Sequence, residues 1–107
     1  MQKIYLPVLH IDEAPKPGAS CSFCLENQTC VLFCLKADEY YATTALCPHQ
    51  NEDIDKANLE GYEVVCRRHH LRFDIRSGDC VNACGYSLQT VEIRIEDGII
   101  YAAIWRD

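Results

Sequence analysis

Basic residues are scarce in this sequence: Lys and Arg number 10 against 16 Asp and Glu, which gives a formal net charge of -6 at pH 7. Because binding to a phosphate backbone needs a basic face, this balance argues against nucleic acid as a partner. Long apolar stretches are also lacking, and no run approaches the roughly 20 residues that span a bilayer. Residues 1–7 lack the apolar core of a secretory signal. These absences predict a cytoplasmic protein that binds neither nucleic acid nor membrane.

Glycine and proline are few as well, with 5 and 4 of the 107 residues. This composition disfavours a fibrous repeat, and 49% hydrophobic residues disfavour disorder. The length suits one domain and leaves no room for a second catalytic unit. We therefore expect a single domain over 1–107, and we expect it to be a monomer.

Short apolar segments between turn residues are typical of β-strands. The clearest signal is at the C-terminus, where apolar and charged residues alternate over 90–95 and Asp97-Gly98 forms a preferred hairpin turn. This turn pairs Ile95 with Ile100, Ile93 with Ala102 and Val91 with Ile104, all on one apolar face. The earlier predicted elements are a strand over 3–8, a helical turn over 11–14, a hairpin of strands 20–25 and 30–35 around 26–29, and a strand over 40–45.

Cysteine and histidine, in contrast, are plentiful in the turn-rich middle of the chain. Cys47 and His49 form one arm, and Cys66 and His69 form a second arm after 16 intervening residues. Two thiolates and two imidazoles can close a site for zinc or a softer metal. Zinc fingers usually pair Cys with Cys and His with His, whereas each arm here carries one of each. That arrangement fits a Rieske centre, in which two His replace two Cys on one iron. A structural zinc module that binds a partner is the alternative.

Over nearly its whole length the chain resembles the Rieske ferredoxins. Besides the two arms, Arg72–Asp74 and Ser77-Gly78 resemble the strand and turn that follow the second arm in that family. Within the family, residues 47–50, 66–69 and 81–82 are similar to the ferredoxin of toluene monooxygenase systems. Most ferredoxins of ring-hydroxylating dioxygenases have Pro after the second Cys and Gly after the second His.

The resemblance implies an all-β Rieske fold, with an antiparallel β-sandwich or incomplete barrel as its base and a cluster-binding subdomain near residues 44–87. It also implies one [2Fe–2S] cluster. Cys47 and Cys66 would bind the inner iron, while His49 and His69 would bind the outer iron through Nδ1. Their Nε2 edges would lie near solvent and form the electron exit.

The function implied by the resemblance is one-electron transfer from an NAD(P)H-dependent reductase to a multicomponent oxygenase, as in aromatic hydrocarbon catabolism. A diiron monooxygenase is the favoured terminal partner; a ring-hydroxylating dioxygenase or another reductive enzyme is the alternative. The chain itself is not expected to be an enzyme, because the sequence has no second His/carboxylate cluster for a catalytic iron.

Some residues depart from the family pattern. His70 stands where many relatives have Gly, and residues 83–86 contain no Pro although this segment should cover the cluster. High-potential relatives in respiratory complexes place a Ser and a Tyr after the second His, and both hydroxyls donate to the cluster or its Cys. This chain has Leu71 and Phe73 there, which predicts a low potential.

Six cysteines lie outside the predicted ligand set. We expect them to be thiols that fill a small core, although a cross-strand disulfide is sterically possible. One register of the first hairpin pairs Cys21 with Cys34 and a shifted register pairs Cys24 with Cys30. A second metal site from Cys21, Cys24 and Cys30 is disfavoured because residues three apart on a strand point to opposite faces. The six are Cys21, Cys24, Cys30, Cys34, Cys80 and Cys84.

Charged residues crowd the ligand arms. Arg67, Arg68, Arg72 and Arg76 flank the second arm, and they fit either a polar docking rim or simply solvated loops. His10 precedes a turn and is expected at the surface.

Overall fold

The computed structural model describes residues 1–37, 39–45, 58–66, 71–82 and 85–106. These residues are almost wholly β, so the predicted all-β fold is confirmed. Among them, none forms a helix with the length and hydropathy that a bilayer span requires. The strands are β1 Gln2–His10, β2 Ser20–Leu25, β3 Gln28–Lys36, β4 Glu39–Thr44, β5 Asn58–Glu60, β6 Glu63–Val65, β7 Arg72–Asp74, β8 Thr90–Val91, β9 Ile93–Glu96 and β10 Ile99–Arg106.

The strands form three antiparallel sheets. Sheet A has the order β1-β10-β9, sheet B the order β2-β3-β4-β8, and sheet C the order β5-β6-β7. Sheets A and B form the sandwich, and sheet C packs on the other face of sheet B. All pairings between the strands are antiparallel, as the sequence predicts.

The five consecutive buried residues of β3, 30–34, show that sheet B is covered on both faces. Alternate side chains of a strand point to opposite faces, so one strand contributes to two cores. The A–B core consists of Phe23, Leu25, Cys30, Leu32, Ala42, Ile100 and Ala102. The B–C core consists of Val31, Phe33, Ala45, Val64, Cys66, Phe73, Ile75 and Leu88.

The C-terminal hairpin forms at the predicted turn. Asp97 and Gly98 both have positive φ, and the register places Ile100 opposite Ile95 and Ala102 opposite Ile93. The predicted pairing of Val91 with Ile104 is wrong, because Val91 lies in sheet B, opposite Ala42 of β4. The chain passes from sheet B to sheet A at Glu92, so the alternating segment is divided between two sheets. Alternation identifies a buried face but not the strand that lies beside it.

The first hairpin adopts neither register considered above. Glu26 and Asn27 form the two-residue turn, with φ of 46° and 67°, and Leu25 pairs with Gln28. Cys21 therefore lies opposite Leu32 and Cys24 opposite Thr29, so both predicted cysteine pairings are wrong. This register places Phe23 and Leu25 in the A–B core, and burial of these side chains outweighs the cost of positive φ at Glu26.

The first strand is longer than predicted, and the helical turn that follows it is of the tighter 3₁₀ type. The opening strand extends from Gln2 to His10, with an irregular register between Pro7 and Leu9. Such an irregularity suits proline, which has no amide hydrogen to donate. The helical turn is a 3₁₀ turn over Ile11–Glu13, and His10 is exposed at its start, as expected.

Gly78 ends the turn after β7 and cannot carry a side chain without displacing its neighbours. Its φ is +84°, and an added Cβ would lie 1.9 Å from the carbonyl oxygen of Leu88. The same two residues are joined by a hydrogen bond from the Leu88 amide to the Gly78 carbonyl, 2.7 Å long. This contact holds the segment before β8 against the turn.

We expect Gly78→Ala to destabilise the fold more than Gly61→Ala. Gly61 also has a positive φ, +60°, but an added Cβ there would meet nothing within 4 Å. Gly61→Ala should therefore cost only backbone strain, about 1–2 kcal/mol, and Gly78→Ala about 1–3 kcal/mol more because of the overlap. Urea unfolding of the two variants measures the difference. Equal losses would show that the contact with Leu88 relaxes freely.

Candidate metal centre

Cys66 is the predicted ligand that lies within the described residues, and it stands at the end of β6. Its side chain is 2% exposed and belongs to the B–C core. Its amide donates a 2.8 Å hydrogen bond to the carbonyl of Leu71, and Val65 pairs with Arg72. The chain therefore leaves sheet C at Cys66, and Leu71 lies beside Cys66 on the other side of the second arm.

The residues on either side of the first arm are described. The arm follows Ala45, which is buried in the B–C core together with Cys66. It ends at Asn58, the first residue of β5, which stands opposite Val65. Because Val65 immediately precedes Cys66, the end of the first arm and the start of the second lie on neighbouring strands.

A third segment, residues 80–82, runs along the edge of β7 that does not pair with β6, toward the same end of sheet C. Cys80 forms a bridge with Phe73, and the Val81 amide donates to the Arg72 carbonyl at 2.8 Å. The Asn82 side chain continues the contact, with its Oδ1 accepting a 3.2 Å hydrogen bond from the Arg72 amide. The chain thus passes beside the start of β7 before residues 83–84.

These three segments give the site its geometry. The predicted ligands Cys47, His49 and His69 lie outside the described residues, as do Arg67, Arg68 and His70. Among the described residues, Asn58 after the first arm, Cys66 and Leu71 on either side of the second, and the third segment lie at one end of sheet C.

The turn after β7 is held by an ion pair. Arg76 donates to Asp74 from Nε at 3.0 Å and from Nη2 at 2.8 Å, and its amide also bonds Oδ1. The Arg76 guanidinium holds the pKa of the Asp74 carboxyl below its usual range, chiefly through the side-chain hydrogen bond. The same guanidinium lies over the ring of Tyr62, 3.9 Å from its centroid.

The guanidinium of Arg72 is also paired with carboxylates. Its guanidinium lies 3.3 Å from Glu63 and 3.5 Å from Glu60, so it joins all three strands of sheet C. Neither Arg72 nor Arg76 is an unmatched positive charge.

A carboxylate shared by two tyrosines joins sheet C to sheet B. Glu39 accepts hydrogen bonds from the hydroxyl of Tyr62 at 2.8 Å and from that of Tyr41 at 3.0 Å. The two rings meet edge to face, with centroids 6.0 Å apart. These bonds, that of Tyr62 first, lower the pKa of Glu39 below its ordinary 4.5 and raise those of both tyrosines.

We expect this contact to make stability depend on pH. A carboxyl with a lowered folded-state pKa stabilises the fold above its ordinary value, and that contribution is lost as the pH falls through the folded pKa. The stability gap between wild type and Glu39→Ala should therefore be largest near neutrality and shrink in acid. Denaturant unfolding across a pH series measures it. In a Tyr41→Phe/Tyr62→Phe background the pH dependence of the gap should be absent; if it persists, its source lies elsewhere.

The remaining described cysteines fill the core only in part. Cys30 and Cys34 are buried thiols and Cys21 is a half-buried one, as predicted. The prediction is wrong for Cys24, a thiol that is exposed, and for Cys80, which is disulfide-bonded. Burial raises the pKa of Cys30, which disfavours the thiolate that a metal needs. Within the described ranges, no group of three or more His, Cys, Asp or Glu side chains is placed to hold a metal ion.

Comparison with known proteins identifies the family. Residues 4–92 match the Rieske [2Fe-2S] domain. The chain therefore belongs to the Rieske [2Fe-2S] domain family, as the two arms predicted. A Rieske-type [2Fe–2S] cluster is the cofactor of this family.

Individual relatives share both sequence and fold with this chain. It is 33% identical over 75 residues to the ferredoxin component of the p-cumate 2,3-dioxygenase system of Pseudomonas putida, covering 68% of this chain and 63% of the relative. It is 26% identical over 69 residues to the alkene monooxygenase ferredoxin of Xanthobacter autotrophicus, covering 64% and 57%. The chain thus spans about six-tenths of the length of these relatives.

A solved structure extends the likeness of fold to the whole chain. The putative NADH-dependent nitrite reductase small subunit of Mycobacterium tuberculosis superposes with a TM-score of 0.86 at 17% identity, covering 100% of both chains. At this identity the likeness concerns the fold alone. The Rieske fold predicted from the sequence is confirmed.

Proposed function

We propose that this chain is a one-electron carrier that takes electrons from an NAD(P)H-dependent reductase and delivers them to a multicomponent oxygenase in the cytoplasm. The observation that carries the proposal is the placement of Cys66. It is a buried thiol at the end of β6, and the hydrogen bond to Leu71 closes the arm that bears His69. Residues 44–87 are the cluster-binding part of a single domain over 1–107.

Cys47, His49, Cys66 and His69 are the proposed ligands of the cluster. Two thiolates and two imidazoles match the donor set of a Rieske centre. The described scaffold suits this set, because Cys66 and Ala45, which precedes the first arm, share the apolar B–C core, and Asn58, which follows the first arm, stands opposite Val65. The cluster, when bound, supplies reversible one-electron reduction. The chain supplies its ligands, its shielding and its position at the end of sheet C.

Substitution of any proposed ligand should abolish the native cluster. Cys47→Ser, His49→Ala, Cys66→Ser and His69→Ala each remove one of the four donors, and metal binding is coupled to the order of the surrounding loops. The visible absorbance and the EPR spectrum of the dithionite-reduced protein measure the loss. A colourless wild-type protein that contains zinc would instead support the structural zinc module.

Cys30→Ser is the control for a buried thiol, since Cys30 is 1% exposed in the A–B core. It should fold less stably yet keep the Rieske spectrum. A bleached Cys30→Ser protein together with a native His69→Ala spectrum would overturn the ligand assignment.

The apolar side chains at Leu71 and Phe73, in place of hydroxyl donors, support a low midpoint potential. Phe73 is fully buried and Leu71 packs at the border of the B–C core, so neither supplies a hydrogen bond to the cluster or to Cys66. Rieske centres span about -150 to +300 mV, and hydrogen bonds to sulfur raise the value. This chain is placed in the low-potential class, which suits a nicotinamide-driven reductase.

We expect Leu71→Ser to raise the midpoint potential measured by protein-film voltammetry at neutral pH, because the new hydroxyl can donate to sulfur. Leu59→Ser is the matched control, since Leu59 also packs at the border of the B–C core but lies on β5. It should leave the potential nearly unchanged. A wild-type midpoint well above 0 mV, or equal shifts in the two variants, would contradict the argument.

Two classes of terminal oxygenase have support. The residues of the ligand arms favour a diiron monooxygenase, and the alkene monooxygenase ferredoxin is a relative. The p-cumate dioxygenase ferredoxin, at 33% identity, favours a ring-hydroxylating dioxygenase. Stopped-flow oxidation of the reduced carrier by each class of oxygenase decides between them. Oxidation by neither would contradict delivery to an oxygenase.

A further inference from the structure

We propose that Asn82 is a positioning residue for Cys66, and that it acts through the single peptide group that joins Leu71 to Arg72. The side chain of Asn82 bonds one end of this peptide group, and the amide of Cys66 bonds the other end. The inference deepens the proposed function and rests on it in one step, because Cys66 is there a ligand of the cluster.

The peptide group between Leu71 and Arg72 is hydrogen-bonded at both ends. Its carbonyl oxygen, which belongs to Leu71, accepts a 2.8 Å hydrogen bond from the Cys66 amide. Its N–H, which belongs to Arg72, donates to Oδ1 of Asn82 at 3.2 Å. Hydrogen bonds that share a peptide group polarise and strengthen one another. Because the group is planar and rigid, a change at Asn82 is transmitted to the backbone of Cys66.

The Asn82 side chain takes the place of a backbone carbonyl at the end of a ladder. Cys80 forms an antiparallel bridge with Phe73, and the Val81 amide donates to the Arg72 carbonyl at 2.8 Å. The chain then turns, and the amide of Arg72 bonds a side-chain oxygen instead of the backbone. Asparagine suits this position because its short side chain can replace a backbone acceptor beside a turn.

Both neighbours of the shared peptide group are themselves fixed. The Asn82 oxygen lies 3.0 Å from the sulfur of Cys80, two residues earlier in the third segment. On the opposite side, the Arg72 guanidinium pairs with Glu63 of β6 and with Glu60 of β5. The peptide group therefore lies between two anchored segments, and the bond to Asn82 joins them.

The position of the Cys66 backbone decides where its thiol can reach. The side chain is 2% exposed in the B–C core, and only one carbon separates its sulfur from the backbone. A cluster ligand must be held close to its productive geometry, and residues that bond the ligand's support provide this restraint. Loss of the Asn82 oxygen should therefore loosen the hold on the proposed ligand.

Hydrogen exchange at the Cys66 amide tests the positioning directly. Asn82→Ala removes the acceptor at an exposed residue, so both cores stay intact. Exchange, followed by mass spectrometry with fragmentation to single residues, should become about five-fold faster, the factor that one hydrogen bond contributes to an opening equilibrium. Asn82→Asp keeps an acceptor oxygen in the same place and should restore the wild-type rate. A wild-type rate in Asn82→Ala, or fast exchange in Asn82→Asp, would overturn the proposal.

Val81→Ala is the matched control in the same segment. The Val81 side chain is 46% exposed, and its bond to Arg72 is made by the backbone amide, which the substitution keeps. Exchange at Cys66 should stay at the wild-type rate. Equal acceleration in Val81→Ala and Asn82→Ala would show a general loosening of the segment and would contradict a specific role of the Asn82 oxygen.

The effect on the centre is measured on the cluster-loaded protein. In Asn82→Ala, excess EDTA should bleach the [2Fe–2S] absorbance several-fold faster than in wild type, and the EPR lines of the reduced protein should broaden. Asn82→Asp and Val81→Ala should match wild type. Wild-type bleaching and EPR lines in Asn82→Ala would refute the link between Cys66 and the centre. Failure of wild type to bind a cluster would refute the proposed function, while exchange at Cys66 would still decide the positioning.

Discussion

Burial of β3 on both faces is the constraint on which the rest of the structure depends. Its residues 30–34 divide between two cores, with Cys30 and Leu32 on one side and Val31 and Phe33 on the other. Burial of each large apolar side chain stabilises the fold by about 1.5–3 kcal/mol relative to exposure. Sheet A and sheet C therefore each pack on sheet B, and the candidate centre lies at the end of the layer remote from sheet A.

The sequence predicted the features that local chemistry decides. Asp97-Gly98 specifies a hairpin turn by its own conformational preference, and the arms around Cys66 identify the family by their spacing. The turn at Glu26-Asn27 was missed because glutamate is an unusual residue at positive φ, which burial of Phe23 and Leu25 imposes from outside the turn. The turn residues alone do not encode such a tertiary preference.

The disulfide at Cys80 was missed for a related reason. Cysteine count and compartment favour thiols, and they hold for Cys30 and Cys34, which are buried in β3. Cys80, which bridges Phe73 at the outer edge of β7, departs from this expectation. The argument from compartment sets a general preference for thiols and does not say which cysteine departs from it.

The described scaffold says little about the partner of the proposed carrier. The positive charges that the described residues place near the centre, Arg72 and Arg76, are matched by carboxylates of the same layer. Paired charges of this kind contribute little to steering a partner. The same fold, moreover, recurs at 17% identity in a nitrite reductase subunit. Under the proposed function, the choice of partner would therefore rest on the arms rather than on the sheets, since the motif of this chain departs from the dioxygenase ferredoxins in the arms.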